Sequence, residues 1–358
     1  MHIVLVGGGH SHAIALRKFG QSALPGLQLT LISDQPAATY SGMLPGYIAG
    51  CYRRRQCQIN LVDLAKFAGA SLIIDQVIGL DLSQQQVICS QGSPVKFDYL
   101  SLNTGIVSAK LGLDHPHSIA VKPLGQFLQA WQRLLADVGS SNSLKLAIAG
   151  GGVGGIELAL AMERRLGKMF GDRLQVRLAD RGTKLLPSHN AQVRSLVEQV
   201  LAQRRIRVDL EAEVTSWNPS KSDYLFWATQ ATAPLWLARS GLATNAQGFV
   251  LINNRLQSLS HPQVFATGDI ATNPSYPRPK AGVFAVRQGL PLWQNLTGIA
   301  KGQPLVDYIP QAQFLSLINT ADGQAIASWG KWGWRSPLAW WWKQWLDSSF
   351  MAQFEHLA

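Results

Sequence analysis

The stretch from Leu144 to Asp180, LKLAIAGGGVGGIELALAMERRLGKMFGDRLQVRLAD, constrains this chain more than any other. An apolar, strand-like run turns on Gly150, Gly151, Gly152, Gly154 and Gly155. A segment of helical period rich in Ala, Leu, Met and Arg follows, and a second apolar run ends on one acid, Asp180. Strand, G-x-G-x-x-G turn, helix and strand ending on an acid form the dinucleotide-binding fingerprint. Gly150 permits the tight turn, Gly152 lets the backbone approach a pyrophosphate, and Gly155 lets helix and strand pack closely. The helix start offers free N–H groups and positive dipole to the phosphates. Asp180 can accept from a ribose 2′-hydroxyl, which favours NADH over NADPH, and Arg181 beside it could soften that preference.

A second such half begins at residue 2. His2 to Val6 reads as a strand, Gly7-Gly8-Gly9-His10-Ser11-His12 as its turn, Ala13 to Phe19 as a helix and Leu27 to Ser33 as the next strand. This half departs from the fingerprint twice. His12 stands where the third glycine belongs, and the strand ends on Ser33-Asp34, either of which is placed to hold an adenosine ribose. His10 and His12 read as a polar turn whose side chains cap the helix. Tyr40 to Gly50, YSGMLPGYIAG, suits a loop lying against a flat ring, and Asn103-Thr104-Gly105 returns the chain towards the same site. A later short strand ends on Thr267-Gly268-Asp269, one carboxylate at a strand's C-terminal edge, placed to bond a sugar-alcohol chain. Ala281 to Leu296 reads as a helix whose N-terminal dipole would stabilise a reduced ring.

Length and composition bound the rest. A chain of 358 residues suggests about two or three domains, and 47% hydrophobic with 15% charged residues describes a globular protein. The net charge is +11, and residues 121–240 carry 16 Lys and Arg against 10 Asp and Glu, where an anionic dinucleotide is expected to dock. The positive residues form no stripe interleaved with aromatics, so nucleic acid is not the expected partner. Cys51, Cys57 and Cys89 cannot build a disulfide framework. Five residues separate Cys51 from Cys57, one more than in a redox-active pair, so no cysteine is expected to carry electrons. No cleavable leader and no run of about 18 apolar residues is visible, which points to the cytoplasm or to the cytoplasmic face of a membrane. No metal-ligand spacing occurs.

Seven of the twelve tryptophans lie between Trp329 and Trp345. With Leu338, Leu346, Phe350 and Phe354, they are too dense for an ordinary solvated helix. Tryptophan favours the membrane interface, so residues 329–354 are expected to contact lipid, with Lys331, Arg335 and Lys343 reaching headgroups. The competing expectation is that these aromatics cover a domain or form a dimer contact.

Two nucleotide-binding halves and a late TGD motif resemble the FAD-dependent pyridine nucleotide-disulfide oxidoreductase superfamily, within it the type II NADH dehydrogenase and sulfide:quinone reductase branch. GGGHSH, YSGMLPGYIAG, VKP, RPKAGVFAVRQG and the ending W…F-M…F resemble the flavoprotein module fused ahead of selenide,water dikinase. The resemblance spans essentially the whole chain. It implies an α/β fold of two Rossmann-like units with three-layer ββα packing. An NAD(P)H domain at 121–240 would be inserted in an FAD domain of 1–120 and 241–310, and 311–358 would form an interface segment. FAD would be held by Gly7, Gly9, His10, Ser11, Ser33 or Asp34, Thr104, Gly105, Gly268, Asp269, Ala281 and Gly282. NADH would be held by Gly150, Gly152, Gly155, Asp180 and Arg181. Glu157 would lie near the nicotinamide, and Lys122 and Lys280 would contact the flavin. The activity implied is an NADH:acceptor oxidoreductase, most readily with a quinone. A flavin-binding partner of selenophosphate synthesis and a sulfide:quinone oxidoreductase are the alternatives. Two departures bear on the acceptor and the turn. Gln230 stands where the family's ATG turn has Gly, and Ala281-Gly282 lies where many type II dehydrogenases carry Ala-Gln.

Overall fold

The computed structural model describes residues 1–108, 115–212, 222–229 and 231–357, so the departure at Gln230 lies outside the described residues. The chain opens with β1 (His2–Val6), helix α1 (His10–Gln21), β2 (Gln28–Ser33), β3 (Ser71–Ile74) and β4 (Tyr99–Leu102). Next come β5 (Ser118–Ala120), α2 (Leu124–Asp137), β6 (Leu144–Ala149), α3 (Val153–Phe170), β7 (Leu174–Ala179), α4 (Ala191–Gln203), β8 (Arg207–Asp209) and β9 (Tyr224–Trp227). Then follow β10 (Val264–Ala266) and α5 (Gly282–Ala300).

These strands make two parallel sheets, ordered β10-β4-β1-β2-β3 and β5-β9-β6-β7-β8. Both are Rossmann-type units, with the strand that runs into the glycine turn, β1 or β6, central and the order reversing beside it. The central strands are near-continuous apolar runs because helices and further strands cover both faces. Ile3, Val4 and Leu5 of β1, and Ala147, Ile148 and Ala149 of β6, expose no surface. The antiparallel strands Val77–Asp81, Gln86–Cys89 and Val95–Lys96 add Val77, Leu80, Val87 and Cys89 to the first unit's core. Close approach of α1 and α5 is permitted by Gly289, where a Cβ would lie 2.6 Å from Ile14 Cβ.

Three local readings need correction. First, α1 begins at His10 with Gly9 as its N-cap and no side-chain cap, so neither histidine caps it. Second, Tyr40–Gly50 is not a plain loop: Ser41–Met43 make a 3₁₀ turn and Leu44–Ile48 a short helix. Leu44 and Ile48 pack into the second unit's core, so this segment bridges the two. Third, β5 at 118–120 pairs with β9, so residues expected on the flavin side of a boundary at 120 belong to the second sheet.

The remaining chain straps the units together. β11 (Ser316–Asn319), β12 (Ala325–Trp329) and β13 (Trp332–Ser336) form an antiparallel meander, followed by α6 (Pro337–Ala352), which Ser336 caps by accepting from Ala339 N–H at 3.1 Å. The meander sits on α4: Gln192 Oε1 accepts from Gly333 N–H at 3.1 Å, and Asn190 donates to the Gly330 and Trp332 carbonyls. Phe350, Met351 and Phe354 instead pack into the first unit's core. Phe350 and Phe354 are buried, as the expectation that these aromatics cover a domain requires, while Leu338, Trp341, Trp342, Trp345 and Leu346 are exposed. Two cations expected to reach lipid do not. Lys343 is held by Asp347 and Arg335 by Asp322, each in an ion pair of low exposure. Among the described residues, no helix is long and apolar enough to cross a membrane.

Candidate nucleotide and electron-transfer site

A groove of about 350 Å³ runs along the C-terminal edge of the first sheet. Such an edge, at the point where strand order reverses, is where open α/β sheets bind ligands. One end is walled by Asp34, Gln35, Asp75 and Gln76, the middle by Gly7, Gly8, Gly9 and His10, and the other end by Gly268, Asp269 and Gly282. Thr104, Gly105 and Lys122 complete the lining, so residues from four distant parts of the sequence meet there.

The glycine turn is shaped by what lies beneath it. A Cβ on Gly9 would stand 1.8 Å from Asn103 Oδ1, and one on Gly7, whose φ is +93°, 2.5 Å from the Asn103 carbonyl. Asn103 Nδ2 donates to the Thr267 carbonyl at 2.8 Å, which binds the turn after β4 to the turn after β10. His12 does related work in place of the third glycine. Its ring is fully buried, Nδ1 lies 2.7 Å from the Gly7 carbonyl and Nε2 2.8 Å from Ser101 Oγ. The carbonyl only accepts, so Nδ1 carries the proton and Nε2 accepts from Ser101. Burial holds this imidazole down to about 4, against the Gly7 contact, and so neutral.

At the strand end, Ser33 and Asp34 separate clearly. Ser33 is buried and its hydroxyl donates to the Gln35 carbonyl at 2.9 Å, whereas Asp34 is exposed at the groove wall. Ser11 does not line the groove, because its buried hydroxyl donates to the Ala285 carbonyl at 2.6 Å and ties α1 to α5. Lys280 and Ala281 lie in a smaller cavity of about 50 Å³ on the far side of Asp269. Lys280 Nζ donates to the Ala271 carbonyl and to Thr272 Oγ1, both at 2.7 Å, and rests 4.0 Å from the Phe249 ring centre. With two of its three donors bound there, it does not line the groove. Burial lowers it to about 8, with Asp269 opposing. Lys122 does line the groove, its ammonium disfavoured by burial and partly restored by Asp269. His10 beside it is lowered to about 4 by burial and by Lys122.

The second unit's turn is more open. A Cβ on Gly155 would lie 1.9 Å from the Gly150 carbonyl, and Gly150 itself has φ +124° against the Ala228 carbonyl. Gly152 and Gly154 face open space. Asp180 accepts from Gly151 N–H at 2.5 Å and from Gly182 N–H at 2.8 Å, so the acid at the end of β7 is fixed against the turn. Arg181 points into solvent. Glu157, in the second turn of α3, accepts from Asn319 N–H at 2.8 Å. Burial pushes its carboxyl up to about 7, with Lys343 opposing.

Four residues contribute in ways the sequence did not indicate. Arg54 lines the groove, with its Nε buried and without a partner. Asn103 supports both the Gly7–Gly9 turn and the turn at Thr267. Lys343 and Asp347 of α6 form a buried pair beside Tyr40. Only Asn103 stood inside a recognised motif. The others belong to segments about 80 to 300 residues from their partners, where no local pattern records the contact.

Residues 1–294 match the family described as pyridine nucleotide-disulphide oxidoreductase. Demethylphylloquinone reductase NdbB of Synechocystis sp. is 22% identical over 360 residues, covering 92% of this chain and 87% of that protein. The sulfide:quinone oxidoreductase structure from Aquifex aeolicus is similar with a TM-score of 0.80 at 18% identity, over 99% of this chain and 92% of that one. NDH2 from Plasmodium falciparum, in complex with NADH, gives 0.80 at 13% identity, over 99% and 97%. At such identities the structural likeness speaks for the fold. Matched from its first residue into α5, the chain belongs to the pyridine nucleotide-disulphide oxidoreductase family.

Proposed function

We propose that the protein is an FAD-dependent NADH:quinone oxidoreductase. The observation that carries this is the pairing of a walled groove, ending on Asp269, with a second glycine turn that is open and backed by Asp180. The groove fits FAD on its own chemistry. Its central helix start has no side-chain cap, Thr104 Oγ1 is buried without a partner, and Lys122 and Arg54 offer positive charge to a diphosphate. Asp34 would hold the adenosine ribose, the Gly7–His10 turn the diphosphate and Asp269 the ribityl chain. Ser33 is already spent on Gln35.

When bound, FAD would supply hydride acceptance from NADH and electron delivery to the second substrate. The chain's own part is positioning, water exclusion and proton supply. Asp180 and the α3 start would hold NADH, with Gly152 and Gly154 leaving room for its phosphates. NADH gives up two electrons and one proton as hydride. Reduction of a quinone to quinol takes up two protons, so one more must come from the protein or water. Glu157, raised to about 7, is the group suited to carry it. Relatives named demethylphylloquinone reductase and type II NADH:quinone oxidoreductase support quinone as the acceptor.

The exposed face of α6, with Leu338, Trp341, Trp342, Trp345 and Leu346, and the nearby Trp332 and Trp334 of β13, would rest in a membrane interface where quinone is found. Truncation would also remove Phe350 and Phe354 from the core, so surface variants are the better test. A Trp341→Ser/Trp345→Ser double variant should stay in the supernatant with liposomes that sediment the parent. Unchanged sedimentation would end the membrane reading, and loss of oligomers instead would assign this face to a dimer. The activity itself is tested by NADH-dependent reduction of a soluble quinone. Purified protein that takes up no FAD, or that oxidises NADH no faster with quinone than without, contradicts it.

A further inference from the structure

A buried charged cluster outside the groove lies where α6 crosses between the two units. Lys343 Nζ donates to Asp347 Oδ2 at 2.9 Å and to the Gly42 carbonyl at 2.8 Å. Asp347 Oδ1 accepts from the Tyr40 hydroxyl at 3.1 Å, and the Lys343 and Asp347 side chains are only 12% and 8% exposed. Tyr40 stacks on Phe350 at 4.6 Å between ring centres and meets the edge of His10, a groove residue, at 5.2 Å. The second unit's Glu157 faces the same cluster, yet among the described residues no cation stands within ion-pair distance of it.

We propose that Asp347 is a positioning residue for proton supply: it holds Lys343 on the flavin-side loop, off Glu157, so that Glu157 stays a proton carrier. This rests on the reading of Glu157 given above. The step it serves is balanced by one proton, Glu157 passing from carboxyl to carboxylate as quinone becomes quinol and regaining the proton from water.

Beside burial, the charges acting on Glu157 are Lys343, which favours ionisation, and Asp347, which opposes it; the Asn319 N–H also favours ionisation. From the other elements, Tyr52 and Tyr40 face Lys343 and Asp347 as neutral phenols, both raised first by burial. An ammonium left without Asp347 would turn to the nearest remaining carboxylate, and in a site shut off from water that attraction is strong. Neutralising Asp347 therefore acts twice in one direction. It removes a repulsion from the Glu157 carboxylate and releases the cation that stabilises it. Removing Lys343 acts in the opposite direction.

The test is the pH dependence of quinone reduction, read with the infrared carbonyl band of the protonated Glu157 carboxyl, identified by its loss in Glu157→Gln. In the parent both should titrate at about pH 7. Asp347→Asn should move both down by about one unit, so that turnover at pH 8 falls roughly tenfold further than turnover at pH 5.5. Asp347→Glu should restore the parent profile, and Lys343→Met should move the band upward even where turnover is lost. A band and profile that stay in place in a folded Asp347→Asn protein overturn the positioning role, as does an equal loss at every pH. If Glu157→Gln keeps the parent's alkaline limb, the reading of Glu157 itself fails, which is a separate result.

Discussion

The two nucleotide units solve the same problem with different third residues. In the second, Gly155 lets α3 lie against β6 so closely that a single methyl would meet the Gly150 carbonyl at 1.9 Å. In the first, the equivalent place holds His12, and the helix is bridged to the turn by a side chain that bonds both the Gly7 carbonyl and Ser101. One unit joins turn and helix by absence of atoms, the other by a buried neutral imidazole. The acids differ as well. Asp180 is locked to its turn by two backbone N–H groups, whereas the first unit spends Ser33 internally and leaves Asp34 at the groove wall. In the function proposed, the first would enclose a resident group and the second would admit and release a mobile one.

Breaking the closer of the two contacts should have the largest effect. Gly155→Val places branched carbons against backbone that cannot move aside, and NADH-dependent turnover should fall at least about 100-fold. Bound flavin should remain, and a variant that loses flavin equally would mean that the units do not act separately. Giving the first unit the second's solution, His12→Gly, leaves a cavity and strips the partners from Gly7 and Ser101. A loss of roughly 2–4 kcal/mol is expected, read as a fall in Tm of about 5–10 °C. An unchanged Tm would show that the histidine bridge contributes nothing. Asp269→Ala should shed most of the flavin on gel filtration while NADH binding, followed by calorimetry, persists.

Sharpening the comparison takes smaller changes. Asp180→Ala should cut kcat/KM for NADH about tenfold and leave NADPH less affected, because the variant no longer repels a 2′-phosphate. Equal losses for both nucleotides would count against the assignment. Cys51, Cys57 and Cys89 are free; burial pushes Cys57 up to about 12 and raises Cys89, so both stay thiols. Replacing all three by Ser should leave turnover within about twofold, and a collapse with flavin retained would give a cysteine a role in electron transfer.

Much of this was legible locally. The β1, β6 and β10 ends follow from apolar runs breaking on glycine, and the glycine turns carry their own steric reason. Legibility stopped where contacts join distant segments. That Lys280 spends its donors on Ala271 and Thr272, that Ser11 faces α5, and that Lys343 turns inward to Asp347 are facts of packing. The tryptophan-rich tail shows the same limit. Density announced an unusual surface, but only the placement of α6 shows which rings enter the core and which face outward.

In the function proposed, one unit holds a resident flavin and the other delivers hydride to it. An anaerobic titration of the purified protein with NADH, followed by the flavin absorbance, tests it most directly. Bound flavin should bleach with about one equivalent of NADH per flavin, and Gly155→Val should keep the flavin but lose the bleaching. Flavin that NADH leaves unbleached in the parent, or that bleaches equally well in Gly155→Val, would contradict it.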